Sequence, residues 1–182
     1  MNLTEITRIQ AEADLIYSTE EVEAAIEKMA QEITAELTDK NPVILCLMIG
    51  AIIVTGKLLP RLNFSLQFEY VHATRYQGDT QGGELHWIRK PSISLKDRHV
   101  LIVDDILDEG TTLMSMVEEC KNNQAKTIQT AVLADKQLDK EREFKHADFT
   151  GLTVPNRYLF GYGMDYKEYL RNAPGIYAVK GL

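Results

Sequence analysis

Several features that would assign the chain to a special class are missing or scarce in its 182 residues. It has only two cysteines, Cys46 and Cys120, which are far apart and belong to no Cys-x-x-Cys or His/Cys cluster, so neither a zinc site nor a disulfide scaffold is expected. The stretch MNLTEITRIQAEADL carries charges throughout and lacks the apolar core of a signal peptide, and no apolar run reaches the roughly 20 residues that span a membrane. These absences predict a cytoplasmic protein with reduced cysteines and no membrane partner.

Positive charge is also scarce. Lys and Arg number 20 against 27 Asp and Glu, the net charge is -7, and no block of basic residues occurs. A general nucleic-acid binder is therefore not expected, although a local basic site would still suit a small phosphorylated ligand. The hydrophobic content of 45% and the charged content of 26% are ordinary for a folded protein, and no repeat or linker divides the chain. We predict a single domain over residues 1–182.

Strand-like and helix-like segments alternate through the chain. Residues 18–37 favour a helix, because Ser18 and Glu21 fit a capping box and one face is apolar. An apolar strand ends at Gly50, and the helix after it is expected to stop at Pro60. The sequence indicates further strands at LQFEYVHAT, RHVLIVDD and KTIQTAVLAD, a helix at TTLMSMVEECKNN, and a loop or ribbon at RYQGDTQGGELHWIRKP. This alternation predicts an α/β fold with a mainly parallel central sheet, whose ligands bind at the carboxyl ends of the strands.

The stretch HVLIVDDILDEGTTL carries the strongest functional signal. Its strand is predicted to end at Asp104 and Asp105, and a loop over residues 108–112 leads into a helix. The first amides of that helix and the threonine hydroxyls suit a phosphate group, and Gly110 allows it to approach closely. The two aspartates suit sugar hydroxyls or a hydrated Mg2+ instead, because they would repel a phosphate. Residue chemistry also leaves open a plain strand end followed by a turn, since Asp and Gly are common there.

An apolar strand followed by DDILDEGTT resembles the phosphoribosyl pyrophosphate (PRPP) motif of the type I phosphoribosyltransferases, and no Walker or Gly-x-Gly-x-x-Gly motif is present. The likeness runs from about Ser18 to the carboxyl terminus, and the segments VLADKQ and VPNRYLFGYGMDYKEYLRNAPGIYAV are similar to the hypoxanthine-guanine branch. The resemblance implies the type I phosphoribosyltransferase fold, in which helices flank a mainly parallel sheet and terminal segments build a small hood. It also implies an enzyme that transfers the 5-phosphoribosyl group from PRPP to a 6-oxopurine.

The resemblance assigns roles within the PRPP motif. Asp104 and Asp105 correspond to the acidic residues that contact the ribose hydroxyls. Asp108 corresponds to the aspartate near N7 of the purine, which is the proposed general base. The loop that cradles the 5′-phosphate corresponds to Asp108, Glu109, Gly110, Thr111 and Thr112.

Later motifs imply the purine end of the site. Lys136 corresponds to a lysine that donates to the 6-oxo group, which would favour hypoxanthine and guanine over adenine. Tyr158 would stack on the purine, and Leu159 would offer backbone groups to its edge. Without the resemblance, Lys136 would be interpreted as a solvated lysine and Tyr158 as part of a buried strand.

The same resemblance places charged groups at the other end of the ligand. Asp165 is similar to an aspartate associated with Mg2+, so that Asp165, Asp104 and Asp105 are the expected metal residues. Arg171 is similar to an arginine that meets pyrophosphate, for which a guanidinium fork is well suited. Taken alone, Arg171 would be interpreted as a surface residue.

A pyrophosphate loop is expected at LMIGA, and a mobile flap after VHATRYQG. Relatives often have a basic residue where this chain has Ile49, which leaves the amides of Gly50 and Ala51 as the expected contacts and a strained or cis Ile49–Gly50 peptide as a hypothesis. In the flap, a Ser-Tyr pair is replaced by Arg75-Tyr76. Tyr76 is kept as a catalytic residue that helps to exclude water, and Arg75 as a further pyrophosphate contact.

The implied reaction gives IMP or GMP and pyrophosphate, with Mg2+ as cofactor and with a homodimer or homotetramer as the assembly. Two alternatives stay open at this point. One is a phosphoribosyltransferase for xanthine or another base, and the other is a non-catalytic regulator that senses PRPP or a nucleotide.

Overall fold

The computed structural model describes residues 2–75 and 85–181 and has a six-stranded sheet at its centre. The strand order is β4-β3-β2-β5-β6-β7, and all neighbours are parallel except β3 and β4. The strands are β2 (Val43–Met48), β3 (Gln67–Arg75), β4 (Leu85–Arg89), β5 (His99–Leu107), β6 (Thr127–Lys136) and β7 (Phe149–Val154). This sheet confirms the predicted α/β fold.

Three helices pack around the sheet: α2 (Thr19–Leu37), α3 (Ile52–Leu58) and α4 (Thr111–Asn122). Helix α2 begins with the predicted capping box, in which the Glu21 amide donates to Ser18 Oγ at 3.3 Å and the Ser18 amide donates to Glu21 Oε2 at 2.8 Å. Its apolar residues repeat on one face and are buried against β7 and α3. Helix α4 packs on β5 and β6. In the chain it directly follows β5, the strand that carries the aspartates.

A second, three-stranded sheet is formed by one strand from near the start of the chain and two strands from near its end. It has the order β1-β9-β8, with β1 (Asp14–Tyr17), β8 (Leu159–Phe160) and β9 (Ile176–Ala178), and all its pairs are antiparallel. Helix α1 (Leu3–Glu12) precedes β1. A separate apolar cluster lies under this sheet, built from Phe160, Tyr166, Leu170, Ala173 and Val179 with Ile6 and Ile9. This unit is the hood that the resemblance implied.

Two local expectations were wrong, and one was confirmed. Strand β5 continues to Leu107, because its ladder with β6 runs on to the Leu107–Asp135 pair, so the two aspartates lie within the strand and not at its end. Helix α3 ends at Leu58, as expected from Pro60, which lies in a 3-10 turn, Leu59–Arg61. The cis peptide is the Met48–Ile49 bond, one residue earlier than the Ile49–Gly50 bond that the resemblance suggested.

Within the described parts of the chain, no helix is both long enough and apolar enough to cross a membrane. Cys46 and Cys120 are both buried and free.

Candidate active site

A cavity of about 460 Å³ opens at the carboxyl ends of β2, β5 and β6. The chain continues from β2 to β3 on one side and from β5 to β6 on the other, so the strand order reverses between β2 and β5. Such a reversal leaves a crevice at the strand ends, because the two connections diverge. The β2–β5 ladder ends at the Cys46–Val103 pair, so β5 lines the crevice from Asp104 onward.

Most of the predicted site residues line this one cavity. They are Gly50, Asp104, Asp105, Asp108, Glu109, Gly110, Thr112, Lys136, Tyr158, Leu159, Asp165 and Arg171. They come from segments up to 121 positions apart, between residues 50 and 171, so their convergence is a result of the fold.

Two predicted residues do not line the cavity. Ala51 is fully buried, and its amide donates to the Leu47 carbonyl at 3.0 Å, so Gly50 is the residue of this pair that faces the cavity. Thr111 is the first residue of α4 and lies beside the cavity wall rather than on it. Tyr76 and the side chain of Arg75 lie outside the described residues.

The two adjacent aspartates, Asp104 and Asp105, influence each other's ionisation. The amide of Asp105 donates to Asp104 Oδ1, and the amide of Ile106 donates to Asp105 Oδ1, both at 2.9 Å. Burial, and then the charge of Asp105, raise the pKa of Asp104 well above its ordinary range. Burial also raises the pKa of Asp105, although a hydrogen bond with Asp104 and the nearby charge of Arg171 reduce that shift. Two ionised carboxylates at this position are therefore costly until a positive or hydrogen-bonding partner reaches them.

Gly50 is required by the close approach of Asp105. A Cβ atom at position 50 would lie 2.2 Å from Asp105 Oδ2, which is shorter than any normal contact. The backbone of the loop after β2 therefore lies directly on the Asp105 carboxylate. Any larger side chain at position 50 would have to displace the Asp105 carboxylate or the loop itself.

The loop after β5 delivers the amino terminus of α4 to the cavity. Gly110 is the N-cap residue and has a φ of 79°, a left-handed conformation that glycine adopts without strain. A Cβ at this position would also lie 2.7 Å from the Cβ of Phe144. The first amides of a helix have no partner within the helix and carry its positive dipole end, so this turn suits an anion.

A lysine and an aspartate meet across the mouth of the cavity. Lys136 Nζ lies 2.9 Å from Asp108 Oδ2. Lys136 is the last residue of β6, and its side chain is 14% exposed, whereas Asp108 follows β5 and is 44% exposed. The ammonium has three donors, so this pair leaves donors for a ligand oxygen.

An aromatic ring forms one wall beside this pair. Tyr158 is 41% exposed, and its ring meets the edge of Tyr166 at a centroid distance of 5.1 Å and an angle of 72°. Its carbonyl accepts from the Val179 amide at 2.8 Å, which fixes the backbone at the hood sheet. One face of the ring is therefore available for stacking at the cavity.

The hood also supplies an arginine and an aspartate. Arg171 Nη2 lies 2.7 Å from Asp165 Oδ1, and Arg171 Nη1 donates to the Gly163 carbonyl at 2.6 Å. Asp165 Oδ2 accepts from the Glu168 amide at 2.7 Å. Both side chains are between one quarter and one third exposed, so they are held in place and still reach the cavity.

Sequence reasoning missed one charged residue beside the cavity, Arg142, and several apolar ones that line it, among them Ile106 and Met164. Arg142 lies in the polar run DKQLDKERE, which gives no signal for a buried side chain. Ile106 was missed because Asp104 and Asp105 interrupt the apolar run before it, so the local pattern does not mark it as part of β5.

Comparison with known proteins identifies the family of the chain. A family model for the phosphoribosyl transferase domain matches residues 12–167. Because that range spans the central sheet and the loop after β5, the chain belongs to the phosphoribosyltransferase family.

Relatives that match over nearly their whole length indicate the branch of the family to which the chain belongs. The chain is 31% identical over 166 residues to a hypoxanthine-guanine-xanthine phosphoribosyltransferase of Tritrichomonas foetus, covering 91% of both chains. It is 32% identical over 167 residues to the hypoxanthine-guanine phosphoribosyltransferase of Bacillus subtilis strain 168, covering 91% of this chain and 92% of the relative. A crystal structure of hypoxanthine phosphoribosyltransferase from Staphylococcus aureus superposes with a TM-score of 0.87 at 25% identity, covering 99% and 96% of the two chains. Within its family, the chain belongs with the hypoxanthine-guanine phosphoribosyltransferases.

Proposed function

We propose that the protein transfers the 5-phosphoribosyl group from PRPP to N9 of hypoxanthine or guanine, giving IMP or GMP and pyrophosphate in purine salvage. The observation that carries this proposal is the single cavity in which a helix amino terminus, two aspartates, a lysine–aspartate pair and an exposed tyrosine ring meet. Each of these groups matches a different part of a nucleotide. The family membership and the names of the relatives support the same reaction.

At the ribose-phosphate end, the 5′-phosphate binds the turn at residues 109–112. The amides at the start of α4 donate to it, and Thr112 adds a hydroxyl. Asp104 and Asp105 accept hydrogen bonds from the ribose hydroxyls, which relieves the cost of holding two carboxylates side by side in a strand where Asp105 is buried.

At the purine end, the base stacks on Tyr158 and presents its 6-oxo group to Lys136. An adenine would offer an amino group at that position, and an ammonium has no acceptor for it. Asp108 accepts the proton that leaves the purine, a general-base contribution on the order of a hundred- to ten-thousandfold in rate. The Leu159 backbone adds polar groups at the base edge.

At the pyrophosphate end, Arg171 and the Gly50 amide face the leaving group. The described residues that line the cavity include five carboxylates, Asp104, Asp105, Asp108, Glu109 and Asp165, but only two cations, Lys136 and Arg171. A polyphosphate would be repelled by this excess of negative charge, so the donor set fits Mg2+ as a cofactor.

The described residues hold no group of three metal-ligating side chains. We therefore propose that Asp165, and the pair Asp104 and Asp105, hold Mg2+ through water and substrate oxygens, as this ion commonly requires. When bound, Mg2+ neutralises charge that develops on the leaving pyrophosphate.

A second candidate is activity on xanthine. It is favoured by one observation: a relative that matches the chain over 91% of its length is named for xanthine as well as for hypoxanthine and guanine. The 6-oxo group that Lys136 would recognise is present in all three bases, so Lys136 alone does not discriminate against xanthine. We further propose that the chain acts as one domain over residues 1–182, in the cytoplasm, as a homodimer or homotetramer.

The test is a pyrophosphate-release assay with PRPP, Mg2+ and one base at a time. We expect turnover with hypoxanthine and guanine, and none with adenine or uracil; xanthine decides the second candidate. Asp108→Asn, which keeps the shape but removes the proton acceptor, should lower kcat by about a hundredfold or more. Absence of pyrophosphate release with every base would instead leave the regulator alternative.

A further inference from the structure

We propose that Arg142 is a positioning residue that sets the spacing between Asp108 and Lys136, and so controls how the purine is recognised. The inference rests on the proposed function and extends it to a residue outside the cavity wall. Arg142 lies in the segment of residues 137–148 that joins β6 to β7.

One guanidinium joins both sides of the purine end. Arg142 Nη1 lies 3.0 Å from the carbonyl oxygens of Leu107, Asp108 and Lys136. Its Nη2 donates to the Lys145 carbonyl at 3.2 Å and pairs with the Asp135 carboxylate. The contacts thus include the backbone of both residues proposed to hold the base.

Burial distinguishes this arginine from the surrounding charged run. The side chains of Arg142 and Asp135 are 11% and 14% exposed. The neighbouring Lys140–Glu109 pair is 69% and 48% exposed, as expected for a surface ion pair of little energetic value. A charge-assisted hydrogen bond made away from water is stronger than one at the surface, so Arg142 holds its partners firmly.

The position of these contacts explains why they matter. The β5–β6 ladder ends at the Leu107–Asp135 pair. Asp108 follows β5 and Lys136 is the last residue of β6, so both lie just where the hydrogen bonds of this ladder no longer align the two strands. Arg142 bridges this point, and the Asp108 and Lys136 side chains then meet at 2.9 Å.

Loss of this bridge should affect the purine more than PRPP. Arg142 also contacts the Leu107 and Asp108 carbonyls before the phosphate turn, but the turn itself, at residues 109–112, has further support from helix α4 and from the contact of Phe144 with Gly110. Lysine at position 142 would keep the charge but lacks the planar fork that reaches several acceptors at once. The purine contacts would then loosen while the phosphate contacts remain.

The experiment measures both substrates separately in Arg142→Lys. We expect the kcat/KM for hypoxanthine to fall by about ten- to hundredfold, the size of effect that a misplacement of about 1 Å produces, with the KM for PRPP changed by less than about threefold. The matched control is Arg98→Lys, because Arg98 also donates to a backbone carbonyl, that of Asn41 at 3.0 Å, but lies at the amino end of β5. In this control, the kcat/KM for hypoxanthine and the KM for PRPP should both stay unchanged.

If the KM values for hypoxanthine and PRPP rise together, or if neither changes, Arg142 has only a general structural role and the proposal is overturned. Should Arg142→Lys fail to fold, Asp135→Asn gives the second measurement. It removes the charge that anchors Nη2 and keeps the carbonyl contacts. A selective rise in the KM for hypoxanthine supports the proposal, and unchanged purine kinetics contradict it. Failure of the proposed function itself would look different, because the unsubstituted protein would then be inactive.

Discussion

At the residue scale, the candidate site contains carboxylates whose ionised forms are costly without a positive or hydrogen-bonding partner. Asp104 and Asp105 are adjacent carboxylates in a strand, and burial and mutual repulsion raise the pKa of Asp104 well above its ordinary range. The sequence singled out these two residues because two carboxylates directly after an apolar run are unusual, and the family resemblance supplied the role proposed for them. It did not predict Arg142, because a buried arginine within a run of five charged residues has the same local pattern as a solvated one.

Replacing Asp104 by Asn should stabilise the ligand-free protein at neutral pH while it impairs activity. An acid whose pKa is higher in the folded state than in the unfolded state loses stability as pH rises between these two values, because the folded state then binds more protons. The neutral amide removes that loss. We expect a gain on the order of 1 kcal/mol at pH 7.5, or about 2–4 °C in melting temperature.

Thermal unfolding at pH 7.5 and at pH 4 checks this prediction, since the advantage of Asp104→Asn should shrink at the lower pH. The proposal for the aspartate pair would be wrong if the variant were less stable at neutral pH and still fully active.

Replacing Gly50 by Ala tests the contact between the loop after β2 and Asp105. The new Cβ would lie 2.2 Å from the Asp105 carboxylate oxygen, so we expect a loss of stability of about 1–3 kcal/mol, typical of overpacking. Catalytic activity should also fall, because Asp105 and the loop both line the cavity.

The matched control is Gly56→Ala. Gly56 lies within helix α3, where an added Cβ would meet nothing within 4 Å, and alanine is the better helix former by about 1 kcal/mol. Equal effects of the two substitutions in urea unfolding would contradict the close contact at Gly50.

At the element scale, the edge of the sheet depends on one carboxylate. Glu69 on β3 is 8% exposed and accepts from Arg89 Nη2 on β4 at 3.0 Å and from the Ser92 amide at 3.2 Å. Burial alone would raise the pKa of Glu69, but the hydrogen bonds from Ser92, Arg89 and the backbone lower it to about 2. This carboxylate therefore joins β4 and the following turn to β3.

Because the pKa of Glu69 is lower in the folded state, its contribution is fully present above about pH 4.3, the ordinary glutamate value, and is lost as pH falls toward 2. Glu69→Gln should therefore lower the free energy of unfolding by about 2–3 kcal/mol at pH 7 and by much less near pH 2.5. Urea unfolding over this range measures the difference. Glu118→Gln, in an exposed pair with Lys121, serves as the control and should change stability little at either pH.

Element boundaries were the part of the fold that local patterns predicted least well. The ladder with β6 extends β5 to Leu107, and no local signal distinguishes a strand that ends at Asp105 from one that continues through ILD. The capping box of α2 was predicted correctly, because both of its partners lie within three residues of each other.

At the scale of the whole molecule, strand order and the hood decide where the cavity lies. The parallel sheet followed from the alternation of apolar strands and helices. The hood did not, because β1 and β9 pair residues more than 150 positions apart, and only the family resemblance implied their association. The convergence of Gly50, Asp105 and Arg171 likewise depends on topology, which the spacing of motifs along the chain does not report.

The most direct test of the account is a crystal structure of the protein with IMP. We expect the nucleotide phosphate within about 3 Å of the amides of residues 109–112, and the ribose hydroxyls at Asp104 and Asp105. The base should stack on Tyr158 with its 6-oxo group at Lys136 Nζ. A phosphate bound elsewhere, or a base turned away from Lys136, would contradict the central claim that this one cavity recognises a 6-oxopurine nucleotide.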